Sequence, residues 1–433
     1  MTTLVSFIIV LGALIFIHEL GHFVVAKLSG VGVERFSLGF GPKVLWFRRG
    51  ETEYRVSLLP LGGYVKMVGE HLDDEVEPAE LDKSFNRKPV RTRAAIVAAG
   101  SVMNLVLAAL LLPLIYMIGI EVPAYLEGEA VIGYVAEDGA AGAAGIKKGD
   151  VVTAVDGRPI RSWEELATAL VMNPDKPLEV EVRRDGETFT TVLTPQASQS
   201  TGGGVAGLLP PMEPVIGRVS PGYPAEAAGL EPGDRIAAIE GREITHWAEL
   251  EGLIHNSDGP LELRIVRGSE SFTVEITPRF NEEMGVYLIG ISRSEETVHK
   301  SYGLIGAVRH GMAAGVKMTV QLFVVIKGLV VGDYSLKTLG GPIMIAQAAG
   351  QAAESGVTDL LSLMAFLSLQ LGIINLFPIP VLDGGHLVFL VVEAARGRPL
   401  SERVVGIAQQ VGLALLITLM VLVSYNDVLR LFG

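Results

Sequence analysis

The stretch 15-IFIHELGHFVVAKL-28 places His18, Glu19 and His22 inside an apolar run that begins at residue 4. Residues 4–28 are long enough to cross a bilayer, where an ionisable side chain costs about 2.5–3.5 kcal/mol even on a lenient insertion scale. Three of them so close together need a common purpose. The pattern H-E-x-x-H supplies one. On a helix, positions i and i+4 share a face one turn apart, so His18 and His22 are preplaced as two ligands of a single cation. A pair of histidines merely satisfied by neighbouring helices would carry the same cost with nothing to offset it. A cleaved signal peptide is the other rival. It lacks a basic leading region, and His18 and Glu19 stand where small residues would be cleaved.

Charge orients the runs. No Lys or Arg precedes the first and Lys27 closes it, so it is predicted to pass from outside to inside. The run 94–120 follows Arg87, Lys88, Arg91 and Arg93 and is predicted to return outward. Runs 357–377 and 404–424 are joined by a connection carrying Arg396, Arg398 and Arg403, which should be cytoplasmic. A further apolar segment, 311–332, is interrupted by Lys317 and Lys327.

Composition agrees with a modular membrane protein. Of 433 residues, 49% are hydrophobic and 19% charged, with the apolar ones gathered toward the two ends. A formal charge of −13 offers no basic face to phosphates, which argues against nucleic acid as a partner. The absence of cysteine excludes disulfides and thiolate chemistry and leaves His, Asp and Glu as metal ligands.

Between the second and third spans the chain repeats itself. "AEDGAAGAAGIKKGDVVTAVDGRPIRSWEEL" overlies "SPGYPAEAAGLEPGDRIAAIEGREITHWAEL" at an offset of 84 residues, so that Gly145 meets Gly229, Asp150 meets Asp234 and Trp163 meets Trp247. Each copy continues into alternating strands around a short helix. The signature A-G-[IL]-x-x-G-D-x-[IV], followed by D/E-G, resembles PDZ domains of bacterial proteases. Residues 198–211, rich in Gly and Ser, read as a flexible linker. The acidic stretch 69–82 reads as a solvated loop.

A catalytic zinc takes three protein ligands and keeps a fourth position open, so one more ligand is needed. Asp383 is the candidate. It follows the third run in "INLFPIPVLDGGHL", where prolines and paired glycines break a regular helix at membrane depth. Asp-Gly is also a common turn pair, and His386 is a rival ligand.

HELGH, the N-x-x-P-x-P-x-x-D-G pattern around Asp383 and the external tandem repeat together resemble the site-2 intramembrane metalloproteases of bacteria. The likeness covers nearly the whole chain, including "RFSLGFGPKVLWFRRGETEYRVSLLPLGGYVKM". It implies zinc on His18, His22 and Asp383, Glu19 as catalytic base, and Asn375, Pro378 and Pro380 near the substrate. It also implies a monomer in the bacterial inner membrane, with its N-terminus and PDZ domains periplasmic and its active site toward the cytoplasm. Its partners would be the lipid bilayer and single-span proteins, namely membrane-spanning anti-sigma factors of envelope-stress signalling and remnant signal peptides. The PDZ pair would act as a size filter. One departure is visible. The family often carries G-P-x-x-N in its second span, whereas this chain has Gly100, Ser101 and Asn104.

Residues 36–67 read as short strands of a hairpin or small sheet near the membrane, and Gly62, Gly63 and Tyr64 stand on an edge that could pair with an unwound substrate. The ligand set constrains topology as well. His22 and Asp383 must share a depth, so the segment before Asp383 has to run inward and 311–332 is expected to lie on the external surface. The expected fold is therefore a polytopic α-helical membrane protein with four transmembrane helices, a membrane-associated β-hairpin and two external tandem PDZ domains. Its parts are a first span (1–30), a cytoplasmic-side β region (31–92), a second span (93–120), PDZ units (121–197 and 212–281), an external amphipathic region (282–356), a third span (357–384), a cytoplasmic loop (385–403) and a fourth span (404–425). A non-catalytic scaffold or a zinc transporter would compete. The transporter would need polar residues lining several spans, and outside the two motifs these are few, chiefly Asn104 and Gln370.

Overall fold

The computed structural model describes residues 2–70, 77–136, 139–198, 203–282, 284–332 and 339–432. The chain divides into two compact units, 1–120 with 300–433, and 121–299.

The first unit is a helix assembly carrying one sheet. Helix α1 (Thr2–Leu28) is followed by strands β1 (Val33–Arg49) and β2 (Thr52–Met67) and by helix α2 (Val90–Ile118). Later come α3 (Leu304–Val331), α4 (Pro342–Ser355), α5 (Val357–Asn375), α6 (Asp383–Arg396) and α7 (Glu402–Phe432). Among the described residues, α1, α2, α3, α5 and α7 are long and apolar enough to cross a membrane.

Small residues set how closely these helices approach. A Cβ on Gly21 would lie 2.3 Å from the Ala99 carbonyl oxygen, and one on Gly372 would lie 3.0 Å from that of Ser101. Along α2, Ser101 faces Gly372, the Asn104 carbonyl accepts from Ser368 Oγ, and Leu111 and Leu112 pack on Ala365. That reversed order makes α5 antiparallel to α2. Helix α1 is antiparallel to α2 in the same way, with His22 at Ile96 and Leu14 beside Leu107.

Helix α3 covers the segment 311–332 that was expected on the external surface. It packs along α2, with Gly311 against Pro113, Met318 in the cluster of Leu111 and Leu112, and Phe323 facing Phe377. Gly311 and Gly315 permit this approach, while Lys317 and Lys327 stay exposed. Its start is tied to the C-terminal end of α2 by Tyr302 N–H donating to the Tyr116 carbonyl at 2.9 Å. Helix α4 begins against the C-terminal end of α7, where buried Asp427 accepts from the N–H groups of Gly341, Ile343 and Met344 at 2.9, 3.0 and 3.1 Å. A carboxylate there meets the unpaired donors of a helix N-terminus.

Residues 385–403 were expected as a cytoplasmic loop, yet Asp383–Arg396 is helical. The reason lies in Gly384 and Gly385, which pass so near the backbone of Phe377 and Ile379 that a Cβ would meet a carbonyl oxygen at 2.2 Å in either case. The turn between Asn375 and Asp383 is thereby tight enough to start a new helix at once.

The strands β1 and β2 are longer than the short strands expected, and they fold over on themselves. Residues 33–38 pair on one side with 63–67 and on the other with 53–56, which pair in turn with 45–48. Gly39 and Gly41, at positive φ of 85° and 87°, take the irregular backbone where the register shifts. Segment 63–67 is left as an edge with no further strand on it among the described residues. Lys27 and Lys83 converge on Glu51, and their hydrogen bonds hold its carboxyl down to about 2. The solvated acidic loop expected at 69–82 lies partly outside the described residues, and Pro78–Lys83 is a short 3-10 helix.

In the second unit the duplication is structural. Strands Val151–Val155, Leu178–Arg184 and Glu187–Leu193 form an antiparallel sheet beside helix Trp163–Val171. Strands Arg235–Ile239, Leu261–Arg267 and Glu270–Ile276 do the same beside Trp247–His255. Both cores are built from matching residues, including Trp163 and Trp247, Leu166 and Leu250, and Val182 and Ile265. Asp156 and Gly157 both take positive φ, as do Glu240 and Gly241, which is the two-residue hairpin turn that D/E-G signals.

Two expected boundaries shift. In the flexible linker expected at 198–211, Gly204–Val205 pairs with Gln196–Ala197, Leu208–Leu209 pairs with Tyr134–Val135, and Ala206 is buried in the first core; residues 199–202 lie outside the described ones. Likewise Ile291–Arg293 pairs with Ile216–Val219 and Ile289 enters the second core, so this copy runs past 281 into the region expected to be juxtamembrane. In both, one apolar residue that closes a core outweighs the surrounding glycine and serine.

Each copy also holds a buried aspartate by a bidentate arginine, Asp150 by Arg184 and Asp234 by Arg267. The Arg267 guanidinium holds the Asp234 carboxyl below the usual carboxylate range against the opposing effect of burial. Arg267→Ala should therefore destabilise the second copy, because it leaves the buried Asp234 carboxylate without its partner. A carboxyl held low stabilises the fold above its unfolded pKa of about 3.9, and that contribution fades as pH falls below it. Thermal unfolding between pH 5 and 2.5 checks this: the wild type should lose the excess stability over Arg267→Ala as the pH drops.

Candidate metal centre

His18 and His22 occupy one face of α1, and their Nε2 atoms lie 3.2 Å apart. The tight turn after α5 delivers Asp383 to the same point, with Oδ2 3.5 Å from His18 Nε2 and Oδ1 3.7 Å from His22 Nε2. Zinc bonds of about 2.0–2.2 Å in tetrahedral array separate neighbouring ligand atoms by about 3.3–3.6 Å, close to the separations of the two imidazole nitrogens and the Asp383 carboxylate here. Among the described residues, this is the one group of three or more His, Asp or Glu whose donor atoms converge in this way.

The surroundings are built to the same end. Nδ1 of His22 meets the Ile96 carbonyl at 2.8 Å, Ser101 Oγ donates to Asp383 Oδ2 at 2.8 Å, and the Asn104 amide lies 3.3 Å from His18 Nδ1. Gly100 makes room for the imidazole, since a Cβ there would lie 2.2 Å from His22 Nε2. Glu19 is buried, at 8% exposure, and its Cγ would touch a Cβ placed on Gly63.

A cavity of about 660 Å³ opens from this point, and His18, Glu19, His22 and Asp383 all line it. Gly63, Tyr64, Val65 and Met67 of the free sheet edge form another part of its wall. Beyond them the lining turns polar with Glu70, Asn86, Arg93, Glu393 and Gln409. Arg93 and Glu393 form a half-buried ion pair linking α2 to α6, with one N–H···O distance of 3.1 Å.

Sequence reasoning and structure can be matched residue by residue. His18, Glu19, His22 and Asp383 come together, and Gly63 and Tyr64 join them at the cavity wall. Gly62 adjoins the wall, with its φ of 130° set against the Phe40 ring. Asn375, Pro378 and Pro380 stand outside the cavity lining, and the rival ligand His386 lines it without joining the converging donors. Ser101, Asn104 and the Arg93–Glu393 pair were not foreseen as site residues. The available signal was that Ser101 and Asn104 are polar residues in an apolar span.

The family model for Peptidase family M50 matches residues 6–419. The chain belongs to peptidase family M50. This M50 peptidase is 38% identical over 456 residues to "Regulator of sigma-E protease RseP" of Escherichia coli, an alignment covering 99% of this chain and 98% of that one. It is 39% identical over 456 residues to "Protease RseP" of Yersinia pestis, covering 99% of each. A relative in Neisseria meningitidis, 37% identical over 452 residues and covering all of both chains, carries zinc metalloprotease in its name. The M50 peptidase described here is thus a metalloprotease of the site-2 family, similar to RseP along its whole length.

Substituting Gly100 by Ala should push the His22 ring out of line and lower zinc affinity by at least about tenfold, the scale of outer-shell defects. Gly12→Ala, where a Cβ would meet nothing within 4 Å, is the control in α1. Metal analysis of both purified variants after chelator titration checks the difference.

Proposed function

We propose that this chain is a zinc endopeptidase that cleaves a peptide bond in or beside the transmembrane segment of a single-span protein, with zinc held by His18, His22 and Asp383. The observation that carries this reading is the convergence of those three donors beside buried Glu19. Bound there, the ion supplies Lewis acidity toward the scissile carbonyl and toward water. Glu19 takes the water's proton on its carboxylate and passes it to the leaving amine. The polar part of the cavity brings water to this depth. Asn375 is assigned to donate to the developing oxyanion, and Pro378 and Pro380 to shape the substrate's path.

A helical substrate hides its scissile bond, and unwinding it in lipid leaves backbone groups unpaired at several kcal/mol each. Edge 63–67 can take up those groups by strand addition, and it lies in the wall beside Glu19. Gly62, Gly63 and Tyr64 are assigned to that contact.

For topology, we infer four crossings, by α1, α2, α5 and α7, alternating in direction. Helix α3 starts at the end of α2 where the chain emerges, and α4 starts at the corresponding end of α7, so the segment between them makes no net crossing. Lys27, Arg91 and Arg93 mark the cytoplasmic side, and the N-terminus and the 121–299 unit belong to the periplasmic side. The two copies are read as tandem PDZ domains that admit substrates whose outer domain has been trimmed. The names of the relatives support an anti-sigma factor as substrate, remnant signal peptides being the second class, and the enzyme acts as a monomer.

Glu19→Gln should lower cleavage of a membrane-inserted model substrate by about 10²–10⁴-fold while retaining zinc. His22→Ala and Asp383→Ala should lose both. Activity of the wild type that survives complete metal removal would sink the proposal. Adding a bulky outer domain to the substrate should slow the wild type, and deleting residues 121–299 should abolish that discrimination.

A further inference from the structure

All three proposed ligand residues take a second contact from one helix that contributes no ligand. Those contacts run along a single stripe of α2: Ile96 to His22, Ser101 to Asp383 and Asn104 to His18. Residues 96, 100 and 104 are four apart and so lie on one face, with Gly100 opening the gap that His22 fills. Ser101 and Asn104 are both 0% exposed, an expensive place for two polar side chains unless each is used.

The His18 contact carries a specific chemical demand. Its Nε2 faces the other donors, so that nitrogen must be unprotonated to ligate and Nδ1 must bear the proton and donate it. Asn104 Nδ2, itself a donor, stands opposite Nδ1, while Asn104 Oδ1 is buried without a partner among the described residues. A half-turn of the amide exchanges the two atoms and brings the oxygen to Nδ1 as acceptor. That rotation replaces a donor facing a donor with an acceptor facing one and gives the buried oxygen a partner.

Ser101 acts on the third ligand. Its hydroxyl donates to Asp383 Oδ2 and so fixes the carboxylate rotation that presents Oδ1 and Oδ2 to the two histidines. The helix is itself pinned, since Ser368 Oγ donates to the Asn104 carbonyl at 2.8 Å from α5.

We propose that α2 orients the metal centre, with Asn104 setting the tautomer of His18 and Ser101 setting the carboxylate of Asp383. Both are positioning residues, and the proposal rests on the zinc reading given above. The test is zinc and cobalt binding by the full chain in detergent, measured by chelator competition and by the visible absorption of the cobalt form. Ser101→Ala and Asn104→Leu should each weaken zinc binding by about 10–100-fold and shift the cobalt bands. Asn104→Asp, which keeps an acceptor toward Nδ1, should bind close to wild type. If Ser101→Ala and Asn104→Leu bind as tightly as wild type with unchanged bands, the proposal is overturned while the zinc site stands. Should the wild type bind no zinc, or His22→Ala bind it as well as wild type, the zinc reading itself fails and the proposal with it. If Asn104→Leu does not elute with the folded wild type, Ser101→Ala decides the outcome, because it removes a single oxygen.

Discussion

Three ionisable side chains at membrane depth, two from one helix and one from a turn about 360 residues later, must share a point small enough for one ion. That requirement disciplines the rest of the membrane unit. It fixes the direction of α5, which has to arrive at the same end as α1, and it demands helix approaches closer than ordinary side chains allow. Gly21, Gly100, Gly372, Gly384 and Gly385 are the places where this shows, each close enough to a neighbour that a Cβ would collide. In a protein whose helices gain little hydrophobic drive against lipid, such close packing is also the main source of association.

In the proposed function the same geometry would couple substrate handling to chemistry. Gly63 lets the sheet edge touch Glu19, so a strand added to that edge would lie beside the proposed base. The far end of the sheet is unlike a soluble hairpin. Val44, Leu45, Trp46 and Phe47 are all more than half exposed, with Lys43 over the Trp46 ring. That pattern suits a lipid interface, where aromatic bodies and cationic tips partition together.

Much of this was legible from short-range pattern. HELGH and the internal repeat rest on spacing within one element or on self-similarity, and both survive into the structure. Composition misled where one residue mattered more than the average. The linker at 198–211 is Gly- and Ser-rich, yet Ala206 enters a core; the segment after Asp383 resembled a turn, yet it starts a helix. Helix α3 was assigned to a surface from the shared depth of His22 and Asp383, and Gly311 and Gly315 allow it to pack on α2.

Local chemistry in the sequence determined the two histidines on one helical face, the glutamate beside them and the apolar character of the helix that carries them, because helical periodicity acts within a few turns. Only the tertiary structure decided that Asp383 rather than His386 completes the donor triangle, and that Ser101, Asn104 and the Ile96 carbonyl each back one ligand. Those facts depend on the register between helices remote in the chain, and register is set by how side chains interlock in three dimensions, which no spacing along one segment encodes.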